Sequence, residues 1–122
     1  MVVFSNQRLG ASAEIIISDD VAAEMLKATA AEARPFAEAR WERELVEWLE
    51  RRAESKTTLD VSEIAWTPDH FEAQRQFLLA AIDRAAVGSE HALAFDLWRR
   101  LIEAHPRDSV QVGRRWQWAP NN

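Results

Sequence analysis

The chain carries three histidines, His70, His91 and His105, and no cysteine. No two histidines are two or four residues apart, and no His-Glu-x-x-His run exists. A zinc centre would need three or four ligands converging from separate segments. Each histidine has a plainer place. His70 stands beside Asp69 and His91 beside Glu90, both in what reads as the first turn of a helix, on the surface. His105 precedes Pro106 at a helix end, where an imidazolium meets the negative end of the helix dipole. The lack of cysteine removes thiol nucleophiles, thiolate metal sites and disulfide scaffolds.

Other chemistry is equally thin. An activated serine needs a neighbouring base, and no Gly-x-Ser-x-Gly elbow is present. Gly10, Gly88 and Gly113 lie too far apart to form a phosphate-cradling loop. Acid–base catalysis needs two carboxylates in different environments. The pairs Asp19/Asp20, Glu38/Glu42 and Glu47/Glu50 read instead as solvated, with arginines nearby. No catalytic, cofactor-binding or metal-ligating residue is assigned, and catalysis is not the expected role.

Two regions suggest binding. Glu38, Glu42, Glu44, Glu47, Glu50 and Glu54 form an acidic ridge suited to a basic partner. Near the C-terminus Arg99, Arg100, Arg107, Arg114 and Arg115 precede Trp116 and Trp118. Arginine beside aromatics can stack bases or grip phosphate. Period-2 alternation, however, sets Trp116 and Trp118 on the face of Val110 and Val112, opposite Arg115, as core or interface. The candidate partner surface is therefore Glu38, Glu42, Glu47, Arg115, Trp116 and Trp118. The partner is another protein, or a second copy of this chain paired through the C-terminal strand.

Charge supports that order. Residues 1–66 hold 8 Lys/Arg and 13 Asp/Glu, and residues 67–122 hold 7 of each, so the net −5 sits in the first half. An acidic half disfavours nonspecific nucleic-acid binding. Thirteen of the fifteen basic residues are arginine, a bias associated with GC-rich bacterial genomes. The first residues show no basic stretch followed by a long apolar run, so no secretory leader and a cytoplasmic location are expected. The apolar runs are too short to span a membrane.

The elements that would position these groups are legible in outline. Strands are expected at 2–5 and 13–18, and a helix at about 20–33 capped from Ser18-Asp19-Asp20. A second helix is expected at about 36–54, with Ala37, Trp41, Leu45, Trp48 and Leu49 on one stripe and Val46 off it. Arg40–Glu44, Arg43–Glu47 and Glu47–Arg51 stand at i, i+4 on its charged face. Leu59–Ala65 reads as a short strand. Trp66-Thr67-Pro68-Asp69-His70-Phe71 announces a helix over about 68–86, with Thr67 as cap, Pro68 at the first helical position and Trp66 stapled to Phe71. Gln74 and Arg75 interrupt its apolar line. Gly88 ends it in a left-handed conformation, and Ser89 caps a helix over about 90–104. Residues 110–118 read as one strand, bulged at Gly113.

The expected fold is a single α+β domain over residues 1–122, with 1–8 and 119–122 as candidate flexible ends. A small antiparallel or mixed sheet would carry about four helices on one face. The alternative is a helical bundle with extended ends. The expected role is a protein-interaction or accessory module without catalysis. Its alternatives are a small enzyme or ligand-binding domain with a pocket between sheet and helices, and nucleic-acid binding through the C-terminal Arg/Trp segment.

Overall fold

Val2, Phe4 and Ile17 are apolar at alternate strand positions and are buried, whereas Ile16 and Glu14 face water. That alternation makes a one-sided sheet. In a computed structural model, described for residues 1–9, 14–55, 58–106, 109–112 and 115–118, β1 (Val2–Ser5) runs antiparallel to β2 (Glu14–Ile17) and parallel to β3 (Leu59–Asp60). The sheet order is β2-β1-β3. Parallel pairing of β1 with β3 requires a crossover, and two helices make it: α1 (Asp19–Ala33) and α2 (Arg40–Glu54). Then come α3 (Phe71–Ala86) and α4 (Ala92–Glu103). The architecture is α+β, four helices packed with a small mixed sheet.

Local chemistry sets the helix bounds. Ser18 caps α1, its hydroxyl accepting the Val21 N–H at 3.4 Å. The second helix begins at Arg40, not 36, because Arg34-Pro35-Phe36 closes a separate 3₁₀ turn. The Glu42 carboxylate then accepts the N–H groups of Ala39 (2.7 Å) and Glu38 (3.0 Å), satisfying donors that a helix start leaves free. Leu45, Val46, Leu49 and Ala53 are buried, so Val46 widens the stripe predicted for this helix. Only Arg40–Glu44 of the three i, i+4 pairs closes as an ion pair, at 3.0 Å, among the described residues.

Residues 59–65 do not form one strand. β3 is two residues long, and Val61–Glu63 turns as 3₁₀ because the Asp60 carboxylate captures the Ser62 N–H and hydroxyl, both at 2.9 Å. The third helix starts at Phe71, three residues later than its Thr-Pro signal. The Thr67 hydroxyl lies 3.3 Å from His70 Nδ1 and does not cap. Gln74, inside the helix, instead holds the segment that leads into it. Its amide donates to the Ala65 carbonyl (2.9 Å) and accepts the Thr67 N–H (3.1 Å). Trp66 and Phe71 do touch, rings 5.0 Å apart, but Phe71 is the first residue of α3 and not its fourth, so the contact is not the expected staple. Gly88 is left-handed, φ 72°. Ser89 accepts the His91 N–H at 3.0 Å, and α4 begins after His91.

The helices bury a common core. Helix α1 packs against α2 and α3, and α4 packs against α3. Trp98 of α4 meets Phe4 of β1 edge to face, centroids 5.7 Å apart. The C-terminal segment departs from the single bulged strand: β4 (Ser109–Val112) and β5 (Arg115–Trp118) pair antiparallel in their own sheet, with Val112 opposite Arg115 and Val110 opposite Gln117. Each strand satisfies the other's backbone, and the bulge expected at Gly113 lies outside the described residues. The one-strand premise that placed Trp116 and Trp118 with Val110 and Val112 is lost.

Candidate functional site

Trp41 and Trp48 read as core residues but are only half-buried. They flank Leu45 at i, i+4, i+7 spacing on α2 and line a cleft of about 390 Å³. Beside them on the same helix stand Glu44, Glu47 and Arg51, all exposed. The facing wall is the irregular segment from Glu63 to Thr67, with Gln74 of α3. Among the described residues, no acceptor is bonded to either cleft indole N–H, and no ion pair is made by Glu47, Glu63 or Arg51.

The irregular wall is braced from behind. Gln74 is 2 % exposed and holds the backbone on both sides of Trp66. The Trp66 indole donates to the Val61 carbonyl at 3.1 Å. Asp60, 2 % exposed, also accepts the Gln7 N–H at 3.2 Å, tying this wall to the end of β1. A recognition surface is better fixed when its wall is braced by bonds of this kind.

The cleft is electrostatically biased. Its lining holds three carboxylates and one guanidinium. Although Glu63 as a residue is exposed, enclosure of its carboxyl raises its pKa above 4.5; Arg52 opposes that shift and Asp60 adds to it. A titratable group perturbed by desolvation inside a cleft marks a site worth testing.

The predicted surfaces fare unevenly. The acidic ridge is divided: Glu42 caps α2, Glu50 pairs with Arg34, and Glu44 pairs with Arg40. Glu47 lines the cleft and Glu38 is exposed. The C-terminal basic cluster is partly neutralised, since Arg99 bonds Asp83 at 2.8 Å and Arg100 pairs with Asp96 at 3.0 Å. Arg107 and Arg114 lie outside the described residues, as do the side chains of Arg115, Trp116 and Trp118.

The histidines separate into three situations. His105, expected at a helix end in contact with the helix dipole, is 1 % exposed; it stacks on Trp66 at 4.8 Å, and its Nδ1 lies 3.1 Å from the Asn6 amide nitrogen. Asn6 also donates to the Leu101 carbonyl at 3.1 Å, and Arg75 donates to the His105 carbonyl at 2.6 Å. Nothing local in the sequence marks this long-range polar knot. His70 lies against Trp41 at 5.5 Å near the cleft, and no carboxylate orients its ring among the described residues. His91 joins Glu24 at 2.8 Å, with Glu90 at 3.7 Å. These three side chains have ligand atoms close enough to share a cation. The two glutamates are 64 % and 86 % exposed, and a hydrogen bond between Glu24 of α1 and His91, just ahead of α4, accounts for the arrangement.

A second depression, about 450 Å³, lies between α1 and α2 near Lys27, Ala31 and Glu54. The Arg34–Glu50 ion pair belongs to it, and no aromatic side chain lines it. The Trp41/Trp48 cleft is therefore the candidate site. No protein-family model matches the chain, and neither the curated proteins nor the solved structures give a match.

Proposed function

We propose that this protein is a non-catalytic interaction module that recognises a protein partner through the cleft between α2 and the Glu63–Thr67 segment. The observation that carries the reading is the pair of half-buried tryptophans in a concave, braced site. Tryptophan is enriched at binding hot spots, where a partner completes its burial. The cost of ordering such a site is already met within the fold, which favours binding.

A catalytic reading has one observation in its favour, the Thr67 hydroxyl 3.3 Å from His70 Nδ1. An activated hydroxyl also needs its base oriented by a third group and donors for a developing oxyanion. The i, i+3 contact at a helix start accounts for the pair without chemistry.

Affinity capture from the native host's lysate, run in parallel with wild type and Trp48→Ala, tests the proposal. Proteins retained by wild type and lost with Trp48→Ala are the expected result. An identical retained set removes the cleft as the recognition site.

A further inference from the structure

We propose that the cleft accepts an arginine side chain from a basic segment of the partner, its guanidinium stacked on an indole and its charge met by the cleft carboxylates. This inference rests on the interaction reading above and adds the chemistry of the ligand.

Three features of the cleft converge on that chemistry. The first is aromatic: Trp41 and Trp48 are two turns of α2 apart, half-buried, and open to the same cavity. Indole is the best aromatic partner for a cation lying over its face, and guanidinium is the more frequent such cation. The second is charge. Glu44, Glu47 and Glu63 line the cavity against Arg51 alone, leaving it net negative. Glu44 is shared with Arg40, whereas Glu47 and Glu63 form no ion pair among the described residues. The third is size. A cavity of about 390 Å³ falls near the lower end of ligand sites; it suits one long side chain, with the rest of the partner lying across α2.

Arginine fits this set better than lysine. Its planar, weakly hydrated group can stack on an indole and donate side-on to a carboxylate at once, whereas an ammonium is a strongly hydrated point charge. Glu63 adds a consequence. Its carboxyl is partly desolvated, and that burial outweighs the attraction of Arg52, so an incoming cation relieves an unfavourable charge.

The test is a two-dimensional NMR titration of the ¹⁵N-labelled full chain with three probes: the N-acetyl methylamides of arginine, citrulline and lysine. Trp41→Phe and Trp48→Phe assign the two indole N–H signals. We expect the arginine probe to move both signals with a dissociation constant near the millimolar range. Citrulline, nearly isosteric but neutral, should bind about tenfold more weakly. Glu63→Gln should weaken the arginine probe about threefold, and added salt should weaken it further. Citrulline binding within twofold of arginine, lysine binding more tightly than arginine, or arginine shifts confined to signals outside the cleft would overturn the proposal. So would the absence of any shift. If arginine fails while Trp48→Ala still loses captured partners, only the cationic anchor falls. If both fail, the interaction reading falls with it. Well-dispersed spectra of Glu63→Gln and of the two Phe variants exclude unfolding as the cause.

Discussion

Among the described residues, two tryptophan–histidine pairs meet opposite fates. Trp66 and His105 stack at 4.8 Å, each 1 % exposed. Trp41 and His70 approach to 5.5 Å, but Trp41 is half-buried and His70 exposed. In the first pair the indole N–H has an acceptor, Val61, and Asn6 meets the imidazole. In the second, the indole N–H has no protein acceptor among the described residues. Buried polar groups normally find partners inside the fold. A polar-aromatic surface that leaves its own groups unpaired is free to pair with something else. The comparison separates side chains that hold the structure from side chains that use it.

The largest way to break that contrast is to truncate both tryptophans. Trp66→Ala should destabilise the protein by about 3–5 kcal/mol, because it opens a cavity beneath Phe71 and His105. Trp41→Ala, half in water, should cost about 1 kcal/mol. Urea denaturation of the two variants measures both. Equal costs would erase the distinction between the pairs.

Next comes the bracing. Asp60→Ala strands the buried Ser62 N–H and the part-buried Gln7 N–H and should cost about 1–3 kcal/mol by thermal or urea unfolding. Gln74→Leu keeps similar bulk but unpairs the Ala65 carbonyl and the Thr67 N–H. It should cost about 1–3 kcal/mol and broaden the amide signals of 63–67, which a purely helical role for Gln74 would leave sharp.

The smallest effect sharpens the cleft itself. The Glu63 pKa is raised in the folded state. Its contribution to stability is therefore full below the unfolded value and is lost as pH rises through the folded value. Glu63→Gln should be slightly more stable than wild type at neutral pH, and the difference should vanish below about pH 4. A Tm difference independent of pH would show that the carboxyl is not desolvated.

Legibility followed the range of the interactions. Ser18 and Gly88 act within a few residues of themselves, and each sits where its spacing placed it; the Trp66/Phe71 contact is also local and forms, though ahead of the helix instead of across its first turn. The start of α3 slipped because the Thr67 hydroxyl meets the His70 ring instead of a backbone N–H, and the His70 N–H closes a turn on the Thr67 carbonyl at 3.3 Å. A lone polar residue in an apolar stripe, such as Gln74, looks like an interruption until its partners are known. Asn6 and His105 are 99 residues apart, and no local pattern couples them. The cleft was missed for a related reason. Tryptophans at i, i+7 on a helix satisfy a core stripe, and only the opposing wall decides whether they are covered. That wall is irregular, so periodicity could not foresee it. The signal that was present was the excess of charge flanking those two indoles.

The most direct measurement follows the tryptophan indole N–H signals while a captured partner is titrated into the ¹⁵N-labelled protein. The account predicts that the signals of Trp41 and Trp48 shift in proportion to complex formed, while those of Trp66 and Trp98 stay fixed. Binding that shifts other tryptophans and leaves Trp41 and Trp48 unmoved would contradict it.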